Sequence, residues 1–120
     1  MPARTVGRIQ TRTAFAQLQR SRARASFGPV RASFVPADAS DPGVFPQVGY
    51  AIGRQCGNAV VRNTLRRRMR ETARFMAPTL PRGTYLLRVG PTAASLGRTE
   101  FSRLVTRALL QSGQAGTSAS

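Results

Sequence analysis

Apolar residues recur at helical spacing in three stretches of the chain and follow a strand-like pattern in three others. The clearest stretch is 99–111, "TEFSRLVTRALLQ", where Phe101, Leu104, Val105, Ala108 and Leu109 fall at i, i+3, i+4, i+7 and i+8. That spacing predicts an amphipathic helix, with Glu100 in the first turn, where the backbone dipole favours an anion. Over 59–76, stepping 100 degrees per residue puts Val61, Leu65, Met69, Thr72 and Met76 within about 80 degrees of one another, again one apolar stripe. Asn58 is placed to cap this helix, and Pro78 disfavours its continuation. A shorter helix is predicted over 11–20, with Ala14, Phe15 and Leu18 on one side and Thr11 or Thr13 as cap. Val48, Tyr50 and Ile52 alternate in "QVGYAI" (47–52), which predicts a strand. "VRASFV" (30–35) and the β-rich "TYLLRVG" (84–90) are predicted as two more. "SRARASFGPV" reads as a basic connection broken by Gly and Pro, "PADASDPGVFP" (36–46) as a loop, "GRQCG" and "PRG" as turns, and 111–120 as a disordered tail. The order is α-β-β-α-β-α. A single α+β domain over 1–110 is expected, a small mixed sheet packed with helices.

Charge changes that picture most. The chain of 120 residues carries a formal net charge of +15, from 19 basic residues against four acids, and every basic residue is arginine. Such an excess implies a polyanionic partner, with nucleic acid ahead of an acidic membrane surface. No apolar run approaches the roughly 18 residues of a membrane span, so no membrane association is expected. "MPARTVGRIQTRTAF" has no apolar core of a secretory signal. It is arginine-bearing and acid-free like a transit peptide, but so is most of the chain. Cys56 is the sole cysteine, so neither an internal disulfide nor a cysteine zinc site is expected. A cytoplasmic location fits. There is no histidine, and the acids are Asp38, Asp41, Glu71 and Glu100. A nuclease built from protein side chains needs carboxylates for metal or a histidine for proton transfer. No catalytic residue and no protein-held metal are therefore expected here.

The arginines concentrate in "GNAVVRNTLRRRMRE" (57–71). On the wheel, Arg62, Arg66, Arg70 and Arg74 step along the flank beside the apolar stripe. Arg67 joins them from the far side, and Asn63 lies between Arg62 and Arg67. Like charges at i, i+4 destabilise an isolated helix, and Glu71 relieves part of this, for example with Arg67. A solvated face usually mixes signs. This one is nearly single-signed, which favours a phosphate-binding ridge. Arg68 falls near the apolar stripe, close to Phe75. Arg54, in the preceding turn, is a weaker RNA candidate. Cys56 reads as a small apolar filler.

"VGYAIGRQCGNAVVRNTLRRRMRE" resembles the conserved block of the bacterial ribonuclease P protein subunit family. Arg62 and Asn63 match the family's Arg-Asn-Arg core, and Arg66, Arg67 and Arg70 match its later basic positions. The helix containing Phe15, the strand "PRGTYLLRVGP" and the last helix follow in family order. The resemblance covers about residues 7–110. There are departures. Thr64 stands at the second arginine of the core, and Gln19 at a second aromatic one turn after Phe15. Arg68 replaces an aliphatic, and Gly53 and Gln55 replace a serine and a lysine.

The resemblance implies a fold like the second domain of small-subunit ribosomal protein five, with a left-handed strand–helix–strand crossover where the general rule is right-handed. It implies a non-catalytic subunit of ribonuclease P, an endoribonuclease that removes the 5′ leader of precursor tRNA. The catalytic RNA, expected at 1:1, carries the chemistry with Mg2+. The protein binds that RNA through its arginine helix and holds the single-stranded leader in a groove of sheet and first helix. Phe15 then stacks on a base; as a bare sequence feature it reads more readily as core. Tyr50 and Ile52 either line the exposed face of a central strand that meets the leader or point into the core, and period two alone does not choose. The alternative function is a structural, ribosomal-type RNA-binding protein. A DNA regulator with helix 59–76 in a major groove lacks a helix-turn-helix pattern around it, and a stand-alone nuclease lacks the side chains.

Overall fold

The structure is a computed structural model and describes residues 21, 23–37 and 46–118. Phe15, Gln19 and the helix predicted over 11–20 lie outside the described residues, as do Asp38 and Asp41.

Four strands form one mixed sheet: β1 (Arg24–Phe27), β2 (Val30–Pro36), β3 (Gln47–Ile52) and β4 (Gly83–Val89). Two α-helices follow the last two strands, α1 (Ala59–Met76) after β3 and α2 (Arg98–Ser118) after β4. Strand order is β1-β2-β4-β3. β1 and β2 are antiparallel, as are β2 and β4, while β3 and β4 run parallel and are joined through α1. This is the α+β arrangement expected, with a strand–helix–strand unit at one edge.

β1 was expected to be connection, and the reason is local. Its four residues, "RASF", are too few and too small to announce a strand. The Gly-Pro pair after it, read as a breaker, is a two-residue hairpin corner. Gly28 sits at φ +58°, a conformation only glycine adopts freely, and the Pro29 carbonyl accepts the Gly90 N–H at 2.8 Å. The corner is thereby pinned to the end of β4.

Both helices cover one face of the sheet, α2 across β1 and β2 and α1 beside β3. Strand residues facing them alternate as the pleat requires. Val30, Ala32 and Phe34 of β2, Val48 of β3, and Tyr85, Leu87 and Val89 of β4 join Leu65, Met69, Phe101, Val105 and Leu109 in one core. The Phe34 and Tyr85 rings stack with centroids 4.4 Å apart. The Tyr85 hydroxyl donates to the Pro81 carbonyl at 2.7 Å, and burial pushes its pKa up.

The tail expected to be disordered from 111 is helical to Ser118. Its composition misled because its glycines serve packing. Ser112 is fully buried and donates to the Leu109 carbonyl at 3.1 Å. A methyl group on Gly113 would stand 2.9 Å from the Tyr85 hydroxyl, and one on Gly116 would run into the Phe34 ring. Alanine at Gly116 gains helix propensity, about 1 kcal/mol at most. Phe34 is fully buried and stacked, so it has little room to yield, and overpacking of this kind costs roughly 1–3 kcal/mol. Gly116→Ala is therefore expected to lower the thermal midpoint by several degrees, at about 4–8 °C per kcal/mol for a small domain. Thermal unfolding followed by circular dichroism checks this, and an unchanged or raised midpoint would show that the helix end is not held against Phe34.

Candidate nucleic-acid interface

α1 begins where predicted because Asn58 caps it: its side-chain oxygen accepts the Val61 N–H at 3.0 Å. Just before it, Gly57 adopts φ +140°, and a Cβ there would sit 2.9 Å from the Val61 side chain. Glycine is required at this entry. Cys56 is buried in the preceding turn, with its thiol 3.5 Å from the Val89 carbonyl. That contact anchors the turn that carries Arg54 to the end of β4, and Arg54 itself is exposed.

The helix divides as the wheel indicated. Leu65, Met69, Thr72, Ala73 and Met76 are buried. Asn63, Arg67, Arg70 and Arg74 are exposed, and Arg62 and Arg66 are half-buried at the border. All the arginines expected on the ridge are therefore brought onto one side. Two are held in place. Arg66 donates to the Asn63 side-chain oxygen at 3.3 Å. The Arg70 guanidinium lies over the Tyr50 ring, 6.0 Å from its centroid, a cation–π contact. Arg62 has its Nε buried with no hydrogen-bond partner among the described residues.

Glu71 does not relieve the ridge. It pairs with Arg98 at the start of α2, at 3.2 Å. Glu100 pairs with Arg103 within α2. Both carboxylates among the described residues are thus engaged away from the ridge, which keeps one sign along its length. The exposed Glu71–Arg98 bridge contributes little stability, but it draws off the acid that the helical spacing sets one turn from Arg67.

Thr64, at the family's second core arginine, turns its hydroxyl back onto the helix and donates to the Val60 carbonyl at 3.0 Å. It offers the ridge no outward donor. Arg68 lies on the same flank as Thr64, partly buried, and its carbonyl accepts the Thr72 hydroxyl at 3.0 Å. Phe75, beside it, is 82% exposed and takes no part in the core.

Of the two orientations open for Tyr50 and Ile52, the structure has the one toward the core, and the central position expected for their strand is corrected. β3 is an edge strand, because β4 inserts between it and β2. Tyr50 stands beside Leu87 and Ile52 beside Val89, so both point to the helix-covered side and pack against the core. Burial pushes the Tyr50 pKa up to about 12, against the opposing pull of Arg70 and Arg74. The phenol is therefore neutral at physiological pH and serves as a platform under the ridge. The open face of β3 carries Gln47, Gly49 and Ala51, beside Thr84, Leu86 and Arg88 of β4.

No single-strand pattern marks that open face as basic. Arg31 and Arg88 are isolated arginines in the sequence, and only the pairing of β2 with β4 puts them side by side.

The ribonuclease P family profile matches residues 4–112. The chain belongs to this family. Curated ribonuclease P protein components are similar to it. That of Nocardioides sp. is 40% identical over 68 residues, 56% of this chain and 58% of the relative. That of Acidothermus cellulolyticus is 37% identical over 87 residues, 68% of this chain and 71% of the relative. That of Thermus aquaticus is 37% identical over 101 residues, 83% of this chain and 56% of the relative. The chain thus spans between half and three quarters of these relatives' own lengths. Among solved structures, the RNase P protein of Staphylococcus aureus superposes with a TM-score of 0.74 at 16% identity, over 85% of this chain and 91% of that one. The Thermotoga maritima RNase P protein gives 0.71 at 17% identity, over 87% and 94%. At such low identity these likenesses establish the shared ribonuclease P protein fold. Among the described residues no helix is long and apolar enough to cross a membrane.

Proposed function

We propose that this ribonuclease P protein is an RNA-binding subunit whose α1 ridge seats on the catalytic RNA, while the precursor tRNA leader lies along the open face of the sheet. The observation that carries this reading is a ridge of exposed arginines with both described carboxylates engaged elsewhere. Guanidinium groups in a row suit a phosphate chain, which each can grip with two parallel N–H donors. Arg62, Asn63, Arg66, Arg67, Arg70 and Arg74 are the side chains assigned to the RNA subunit, with Arg54 at the helix entry. Tyr50 acts by holding Arg70, and Ile52 by packing. Phe15 remains the base-stacking candidate for the leader.

Cleavage chemistry, with its Mg2+, belongs to the RNA partner. This chain contributes positioning and charge neutralisation, which raise rate without a reactive group. The direct test is crosslinking in cells followed by sequencing of the bound RNA. One discrete catalytic RNA together with precursor tRNAs is the expected catch; ribosomal RNA alone would favour a ribosomal role instead. Purified chain freed of all RNA is expected to leave precursor tRNA intact, and cleavage by it would overturn the division of labour.

A further inference from the structure

The arginines account for one side of α1, and the last turn of that helix carries a ring that the fold does not use. Phe75 is 82% exposed, so it forgoes the stabilisation that burial gives an aromatic side chain. Every other described aromatic ring is occupied. Phe34, Tyr85 and Phe101 are buried in the core. Tyr50 lies under Arg70, and Phe27 under Arg107, whose guanidinium stands 5.1 Å from the ring centroid. Among the described residues no ring and no cation covers Phe75.

At 100 degrees per residue, Thr64, Arg68, Glu71 and Phe75 fall within about 60 degrees of one another, on the flank of α1 across the apolar stripe from Arg62 and Arg66. That flank offers no contiguous apolar patch of the kind a protein partner covers. Val60, the other exposed large apolar side chain among the described residues, lies about 22 Å away along the axis at 1.5 Å per residue. A second copy of the chain brings another charge of +15 and is repelled. An isolated ring bordered by the exposed Arg74 and by Arg68 suits an unpaired base instead. A base needs only one ring face and carries its own phosphate for a neighbouring guanidinium. Glu71, one turn before Phe75, would repel that phosphate if free; its pairing with Arg98 at 3.2 Å offsets its charge.

We infer that Phe75 is a nucleobase-stacking site, at which an unpaired base of the RNA subunit lies flat on the exposed ring. The site rests on the reading of the chain as an RNA-binding subunit and adds to it a contact of a different kind. The ridge grips phosphates, which every nucleotide has. A ring on the other flank of the same helix requires a base that is out of its pair. The stack therefore restricts where along the RNA subunit α1 can seat, and the two contacts hold the helix from two sides.

The test titrates the full chain with the RNA subunit. Phe75→Ala and Phe75→Leu are each expected to keep the parent thermal midpoint and to bind at least about fivefold more weakly, the lower end of what base–aromatic stacking contributes. The log–log salt slope is expected to stay unchanged, because a stack releases no counterions. Phe75→Tyr is expected to bind as the parent chain does. Phe75→Trp adds a reporter: the chain contains no tryptophan, so its emission is that of the site alone, and it is expected to be quenched as the RNA subunit saturates. Full affinity in Phe75→Ala overturns the stack, and so does full affinity in Phe75→Leu, where ordinary apolar contact then suffices. A slope that flattens with the affinity also overturns it, since the loss is then ionic. Emission that changes only with the chain's own concentration points to a second copy, and quenching by precursor tRNA but not by the RNA subunit points to the leader; either overturns the assignment. If Phe75→Ala binds fully while Arg67→Ala with Arg70→Ala is weakened, the ridge stands and the stack alone fails. If the ridge variant is silent as well, the RNA-binding reading fails and the stack with it. Should the alanine variant not fold, Phe75→Trp decides, and unquenched emission at saturating RNA overturns the proposal.

Discussion

Replacing Arg67 and Arg70 together by alanine is expected to weaken binding to ribonuclease P RNA by about 30- to 100-fold at moderate salt, since charge-assisted hydrogen bonds are the strong ones and each tenfold is about 1.4 kcal/mol. Both side chains are exposed on α1, and Arg70 is the one aligned over Tyr50. The fold has little stake in them: neither belongs to the core, and removing charges from a crowded i, i+4 series eases repulsion. The thermal midpoint is therefore expected to hold or rise slightly while affinity falls. The salt dependence gives the sharper reading. Each lost phosphate contact flattens the log–log slope by roughly 0.7–0.9, so two arginines account for about 1.4–1.8. A filter-binding series across salt concentrations measures both quantities. Undiminished affinity with an unchanged slope would remove the ridge from the interface.

The second large effect concerns catalysis by the partner. At low Mg2+, adding this chain is expected to accelerate leader cleavage by its RNA subunit by at least about tenfold, with the advantage shrinking as Mg2+ rises. The reason is electrostatic. Two large polyanions must meet, and a chain of net charge +15 neutralises phosphates that divalent cations otherwise have to screen. Holding the leader adds an orientational gain that screening alone cannot supply. The two contributions separate experimentally. Screening helps leaderless and leader-bearing substrates alike, whereas leader holding lowers the substrate KM only when a leader is present. Single-turnover cleavage across a Mg2+ series checks this, and equal rates with and without the protein at every Mg2+ level would count against the assignment.

Gly116→Ala bears on how the tail is understood. Serine, glycine and alanine in succession look like solvated chain because nothing in that composition offers a core. Their smallness is what lets α2 approach Phe34 and Tyr85 closely, and a composition argument cannot distinguish a residue that is small for freedom from one that is small for contact. β1 illustrates the same limit from the other side. "RASF" alternates polar and apolar residues, but over only four positions and with a single large apolar side chain, and it becomes a strand because β2 presents it with an edge.

What the sequence by itself determined is what depends on near neighbours along the chain. The bounds of α1 follow from Asn58 and from Pro78, and its apolar and basic sides follow from 3.6-residue periodicity. The extent of β3 and the core side of α2 are equally local, and the single-signed charge is a count. The tertiary structure decided everything that depends on residues far apart. Insertion of β4 between β2 and β3 made β3 an edge strand and sent Tyr50 beneath Arg70. Packing of the two helices brought Glu71 to Arg98, and pairing of β2 with β4 set Arg31 against Arg88. Strand pairing has no local signature, because a period of two states that residues alternate but not which side meets the helices. That choice is made by the strand that arrives alongside.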